Sequence, residues 1–162
     1  MKTKFIAGIL AFAMMSGGEA APIRDAVELT AELSKKIIQG CSDHAVRKGQ
    51  SHAIAVVDRG GALVAFLRMD GNPPGVGDFA LQKATATAHW RFSTESMAKA
   101  ATTTPGFASA PRVVTVAGGV PVYAPDGKTF LGAVGVSGEA PEEDVECAKA
   151  GITAAGFQHQ RK

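Results

Sequence analysis

Hydrophobic and polar positions divide the 162-residue chain into short periodic blocks. From residue 24 to about 48, Ala26, Leu29, Leu33, Ile37, Cys41 and Ala45 recur every three or four positions, an apolar stripe of helical period, and Gly49 supplies a natural stop. The runs HAIAVVD (52–58) and ALVAFLRM (62–69) are short and rich in β-branched and aromatic residues, and Gly60-Gly61 between them predicts a hairpin. After the loop GNPPGVG (71–77), a second helix is expected from about 78 to 92, with Leu81, Ala84, Ala88 and Phe92 on its apolar side. Asp78, Gln82, Thr85 and His89 share the opposite, polar side.

Residues 93–111 are mixed, a short helical piece followed by TTTPGFASAP, which reads as a mobile loop. RVVTVAGGVPVYA (112–124) and KTFLGAVGVSG (128–138) flank the turn signal Pro125-Asp126-Gly127 and predict a second hairpin, its first strand bent or bulged at Gly118-Gly119. Pro141 opens a last helix running to 156, with Glu142, Glu143 and Asp144 in its first turn, where the helix dipole favours negative charge. Hairpins alternating with helices imply an α+β fold, a central antiparallel β-sheet with helices packed on it.

The first twenty residues break this pattern. Lys2 and Lys4 precede the apolar run FIAGILAFAMM (5–15), and SGGEA ends in small residues, the layout of a secretory signal peptide cleaved after Ala20. The run falls short of the roughly 20 residues a membrane-spanning helix needs. An uncleaved anchor is the alternative. The expectation is a signal peptide over 1–20, a single domain over 21–162, no membrane span after cleavage, and a periplasmic or secreted location. Cys41 and Cys147 then either form a disulfide in an oxidising compartment or are two buried small hydrophobes on separate helices. A formal charge of +2 with one Trp and one Tyr argues against a nucleic-acid partner.

None of the strong catalytic motifs is present: no G-x-S-x-G, H-E-x-x-H, phosphate-binding loop or C-x-x-C. Glu142, Glu143 and Asp144 suit the start of a helix better than acid–base work. Of the four histidines, His159 lies in a polar tail and reads as a disordered surface residue, and His52 opens a strand as an exposed side chain. His44 borders the stripe of the first helix and His89 the polar side of the second; each is either a satisfied edge-of-core residue or a group facing a cofactor.

The blocks VVDRGGALVAFLRMDG, LQKATATA, AGGVPVY and GAVGVSGEAPEEDVECAKAG, in that order, resemble the GlcG/HbpS-like haem-degrading family, which includes the C-terminal domain of PduO. The resemblance implies an α/β sandwich around an antiparallel sheet, a homo-oligomer of up to eight chains, and non-covalent haem, with iron release and a sensor or transport partner in some relatives. Matching positions are Arg68, Met69, Asp70 and Gly71, then Lys83 and Thr85, then Gly118, Gly119 and Pro121, then Ser137, Gly138, Pro141, Glu142 and Asp144. Ala140 departs from the small hydroxyl residue usual there and removes a helix cap worth roughly 1 kcal/mol.

Haem requires a donor for iron, cations for its propionates and an apolar slot for its ring. His44 and His89 are the leading donors, with Met69 and Tyr123 behind them, and Arg68 and Lys83 are the expected cations. For Arg68 and Asp70 the alternative is a local ion pair at the loop, and for Gly118 and Gly119 the choice is between close approach of backbone to a ligand and a simple bulge. The sequence thus predicts one pocket lined by Arg68, Asp70 and Lys83 with the Gly118-Gly119 backbone. It supports an exported haem-binding protein, with or without haem breakdown or iron release; an accessory or sensory protein holding a small organic acid is the alternative, and an enzyme of unassigned reaction a third. Lack of C-x-x-C-H excludes covalently attached c-type haem.

Overall fold

The computed structural model describes residues 28–162. The signal-peptide expectation and residues 24–27 of the first stripe lie outside the described residues. Helix α1 spans Ala31–Lys48, starting later than the apolar spacing suggested because Thr30 caps it, its hydroxyl accepting from Leu33 N at 3.2 Å. Gly49 ends it in the left-handed conformation. Strands β1 (Ala53–Asp58) and β2 (Leu63–Arg68) form the expected hairpin, its turn held by Asp58, whose Oδ1 accepts from Gly60 N and Ala62 N. Helix α2 (Pro74–Trp90), helix α3 (Thr94–Thr103), strands β3 (Gly119–Tyr123) and β4 (Phe130–Ser137) and helix α4 (Pro141–Ala154) complete the order. The sheet runs β2-β1-β4-β3 with every neighbour antiparallel.

Alternation along β1 assigns the two faces. Ile54 and Val56 point into a large core with Ile37 and Cys41 of α1, Val134 and Val136 of β4, and Cys147, Ala148 and Ile152 of α4. Ala53, Ala55 and Val57 meet Ala80, Ala84 and Ala88 of α2 on the other face. That second interface consists mostly of alanine because α2 lies almost on the sheet: a Cβ at Gly135 would sit 2.0 Å from the Ala80 carbonyl oxygen. Helices α1 and α4 also cross closely, Gly151 against the Ile37 carbonyl, and there Cys41 and Cys147 form a disulfide with Cα atoms 4.7 Å apart.

Three expectations need correction. The short helical piece expected at the start of 93–111 is there as α3, capped by Ser93, but it runs on to Thr103, and the stretch read as a mobile loop holds a 3-10 turn at Phe107–Ser109, fastened by Trp90, whose ring meets Phe107 edge-on at 5.2 Å. Only Gly119–Tyr123 of the run 112–124 is strand; Arg112 (φ 59°) and Gly118 (φ 127°) turn the preceding segment out of the ladder. The tail around His159 is not loose, since Gln158 bridges antiparallel to Tyr123 and Lys162 N donates to the Gly127 carbonyl.

Candidate functional site

The buried stripe of α2 is rotated from the one its hydrophobicity suggests. Gly77, Ala80, Lys83, Ala84, Thr87 and Ala88 face the protein, whereas Leu81 stands half-buried at the margin. Lys83 is therefore internal, 1% exposed. Its Nζ donates to Asp144 Oδ2 at 2.9 Å and to the Val136 carbonyl at 3.0 Å. Asp144 Oδ1 also lies 3.1 Å from His52 Nδ1 and accepts from Glu139 N at 3.2 Å. His52 is fully buried rather than an exposed strand opener. Asp144 thus supplies from inside the helix part of what Ala140, which makes no side-chain cap, cannot.

Gly118 and Gly119 lie over this cluster. A Cβ at Gly118 would fall 2.7 Å from Lys83 Nζ, and one at Gly119 would fall 2.4 Å from Thr87 Oγ1. Their backbone comes close to a lysine and a threonine of the protein itself, not to an open ligand slot. Arg68 and Asp70 are elsewhere, exposed at the outer end of β2. Arg68 donates to the Asn72 carbonyl, and the Asp70 carbonyl accepts from Ser51 Oγ. The expected Arg68–Asp70 ion pair is absent among the described residues, and the expected single pocket is not formed: Lys83, Gly118 and Gly119 belong to a core, Arg68 and Asp70 to the surface.

The outer side of α2 has open space. A hollow of about 590 Å³ lies between Asp78, Gln82 and Thr85 of α2 and the segment Arg112–Val114. A second, of about 310 Å³, is bounded by Leu63, Phe66 and Arg68 of β2 and shares Asp78 and Leu81 with the first. The two make one trough, apolar along Leu63, Phe66, Leu81, Val113 and Val114, with a guanidinium at each side. One turn beyond Thr85 on the same helix is exposed His89. Its Nδ1 lies 2.8 Å from the Thr85 carbonyl, and its ring covers Gly61 in the β1–β2 turn, where a Cβ would fall 2.5 Å from Cε1. His44 sits on α1, across the sheet from α2, with Nε2 buried and unpartnered.

Residues 29–153 match the family described as haem degrading protein HbpS-like. The chain belongs to that family. This HbpS-like chain is 37% identical over 114 residues to protein GlcG of Escherichia coli (strain K12), covering 68% of the chain and 82% of GlcG. A double mutant of Streptomyces reticuli HbpS superposes with a TM-score of 0.73 at 30% identity, over 90% of this chain and 97% of that one. PduOC in complex with haem has the same fold, with a TM-score of 0.74 at 22% identity over 83% of this chain and all of PduOC.

In this HbpS-like chain the sequence-level candidates divide by face. Arg68 and Thr85 line the α2 trough, and His89 stands one helical turn beyond Thr85, outside its lining; His44 lies beyond the sheet; Tyr123 is buried in β3 and Met69 receives the His52 amide through Sδ at 3.5 Å. Arg112, Val113 and Val114 escaped sequence reasoning, because nothing in RVV announces that the segment leaves the ladder. The left-handed backbone at Arg112 is the one local oddity there, a strained conformation of a kind that gathers at ligand-binding loops. Among the described residues no group of three or more His, Cys, Asp or Glu is placed to hold a bare metal ion, and no helix is long and apolar enough to cross a membrane.

Proposed function

We propose that this protein binds haem non-covalently in the α2 trough, with His89 as the iron donor and Arg112 and Arg68 as propionate partners. The observation that carries this reading is the setting of His89. A ring whose Nδ1 is held by a backbone carbonyl is fixed in the tautomer that leaves the Nε2 lone pair for a metal. The apolar walls suit a macrocycle and the two guanidinium groups suit carboxylates. Bound haem would bring its own redox chemistry; the chain holds the ring, orients its donor and keeps one face from water. The family description extends the reading to haem breakdown or iron release from that trough, and the relative crystallised with haem supports the choice of ligand.

Export through a cleaved signal peptide and assembly into a homo-oligomer complete the proposal. The Cys41–Cys147 disulfide suits an oxidising compartment. Leu63 and Phe66, half-exposed on edge strand β2, form an apolar wall of the trough that a second copy would close over. An organic acid would find no free cation at Lys83, because Asp144 already neutralises it.

Titration of the mature protein with haemin tests the reading. A Soret band should appear in wild type, shift or collapse in His89→Ala, and need roughly ten- to 150-fold more haemin in Arg112→Ala, the cost of one charged hydrogen bond. His44→Ala should leave the band where it is. Absence of a band in wild type, or a His89→Ala spectrum identical to it, overturns the assignment.

A further inference from the structure

Just past the C-terminal end of α2, a cavity of about 300 Å³ lies between the turn after α2, the start of α3, strand β3, helix α4 and the C-terminal segment. It shares no lining residue with the α2 trough. Arg91, Lys149 and Arg161 face it with His159, against a single carboxylate, Glu95. That carboxylate is already engaged, its Oε1 2.9 Å from Lys99 Nζ, a contact that holds its pKa below the usual glutamate value. Lys149 has an exposed partner in Glu146 at 3.0 Å. Neither Arg91 nor Arg161 has a carboxylate partner among the described residues.

The Arg91 side chain has a fixed neighbour, and the backbone that carries Arg161 is fastened on both sides. Arg91 occupies the left-handed cap of α2, its N–H on the Thr87 carbonyl and its guanidinium 5.2 Å from the Phe130 ring centre. Arg161 lies between two fastened points of the tail, the paired backbone bonds of Gln158 with Tyr123 and the Lys162 amide on the Gly127 carbonyl. Folding like charges around a concavity without their own counter-ions costs stability unless something anionic enters. The first turn of α3 borders the same cavity through Ser93 and Ser96 and adds its positive dipole end. Val120, Pro121 and Tyr123 line the remaining wall with carbon, which suits the body of an organic molecule rather than a bare ion.

We propose that this cavity binds a small organic anion carrying two or more negative charges on carboxyl or phosphoryl groups, gripped by the Arg91 and Arg161 forks with Lys149. The site stands apart from the haem reading and survives its failure.

The test uses the mature protein in low-salt buffer, titrated in parallel with citrate and with inorganic phosphate while its thermal midpoint and heat of binding are followed. Wild type should bind at least one of the two, and the tighter one assigns the oxyanion class. R161Q, on the exposed tail, should weaken binding about tenfold, and R91Q/R161Q should abolish the shift. K35Q/K36Q, which removes the same charge from the exposed side of α1, should bind like wild type. Haemin titration of R91Q/R161Q should match wild type. No binding of either anion, equal weakening in K35Q/K36Q, or undiminished binding in R91Q/R161Q overturns the site; loss of haemin binding in R91Q/R161Q overturns its separation from the trough.

Discussion

The Lys83 ammonium and the Asp144 carboxylate meet 2.9 Å apart inside the protein, each no more than 2% exposed. The pair joins α2, on one face of the sheet, to the first turn of α4, on the other, across the end of β4 where Val136 offers its carbonyl. Both charges have further partners, so neither is left bare when they come out of water: the Val136 carbonyl for Lys83, and His52 Nδ1 and the Glu139 amide for Asp144.

Removing one member should therefore be severe. Lys83→Met leaves a buried carboxylate without its cation, and the expected loss is about 3–5 kcal/mol by urea unfolding. Lys83→Met with Asp144→Leu should lose less than the two single changes combined, since the double variant buries no orphan charge. Haemin affinity of folded Lys83→Met should equal that of wild type, because this lysine does not reach the trough.

Cys41 and Cys147 close a separation of 106 residues and tie α1 to α4 at their closest crossing. Loss of the bridge frees the unfolded chain more than the folded one. Cys41→Ala/Cys147→Ala should unfold with about 2–5 kcal/mol less stability, and reductant should lower the wild-type midpoint while leaving that of the variant unchanged. Equal sensitivity of both proteins to reductant would contradict a structural bridge.

The sheet and three of its helices were legible because their signals are local: Gly60-Gly61 and Pro125-Asp126-Gly127 mark turns, and Pro141 marks a helix start. The site was less so. Lys83 carries a charge, and charge ordinarily marks an outward residue; only the partner 61 positions away, Asp144, makes it internal. The α2 stripe was misplaced for a related reason. Leu81 outranks Ala80 in hydrophobicity, yet where α2 is pressed against Gly135 only small residues such as Ala80 and Ala84 fit, so at that contact size decided the buried face and hydrophobicity did not. The segment around Arg112 reads as a strand by composition, and its departure from the ladder depends on contacts made after folding.

That close approach can be tested alone. A methyl at Gly135 would be 2.0 Å from the Ala80 carbonyl oxygen and 2.5 Å from Ala84 N, both backbone atoms of α2 that cannot swing aside. Gly135→Ala must lift the helix off the sheet, at an expected cost of about 1–3 kcal/mol or more. Gly75→Ala, also on α2 and with nothing within 4 Å of the added methyl, is the control and should unfold at or slightly above the wild-type midpoint. A Gly135→Ala midpoint equal to that of the control would mean that α2 does not lie so near.

Acid should release one specific tie. Glu143 at the start of α4 accepts from Gln50 Nε2 at 2.9 Å and from Lys48 Nζ at 2.7 Å, and these bonds, with the nearby Lys48 and His44, hold its carboxyl below the usual glutamate value. The unfolded chain lacks them, so its Glu143 protonates first as pH falls, near roughly 4.3. A group whose folded pKa is depressed contributes stability that is complete above the unfolded value and disappears as pH drops through the folded one. Wild type should thus exceed Glu143→Gln in thermal midpoint by a constant margin above about pH 6, and the margin should narrow steadily from about pH 5 downward. Because the Lys48–Glu143 pair is partly exposed, salt should also narrow it at neutral pH. A margin that stayed constant down to about pH 3 would show that ionisation of Glu143 contributes nothing to it, and no margin at any pH would show that a neutral amide holds Gln50 equally well.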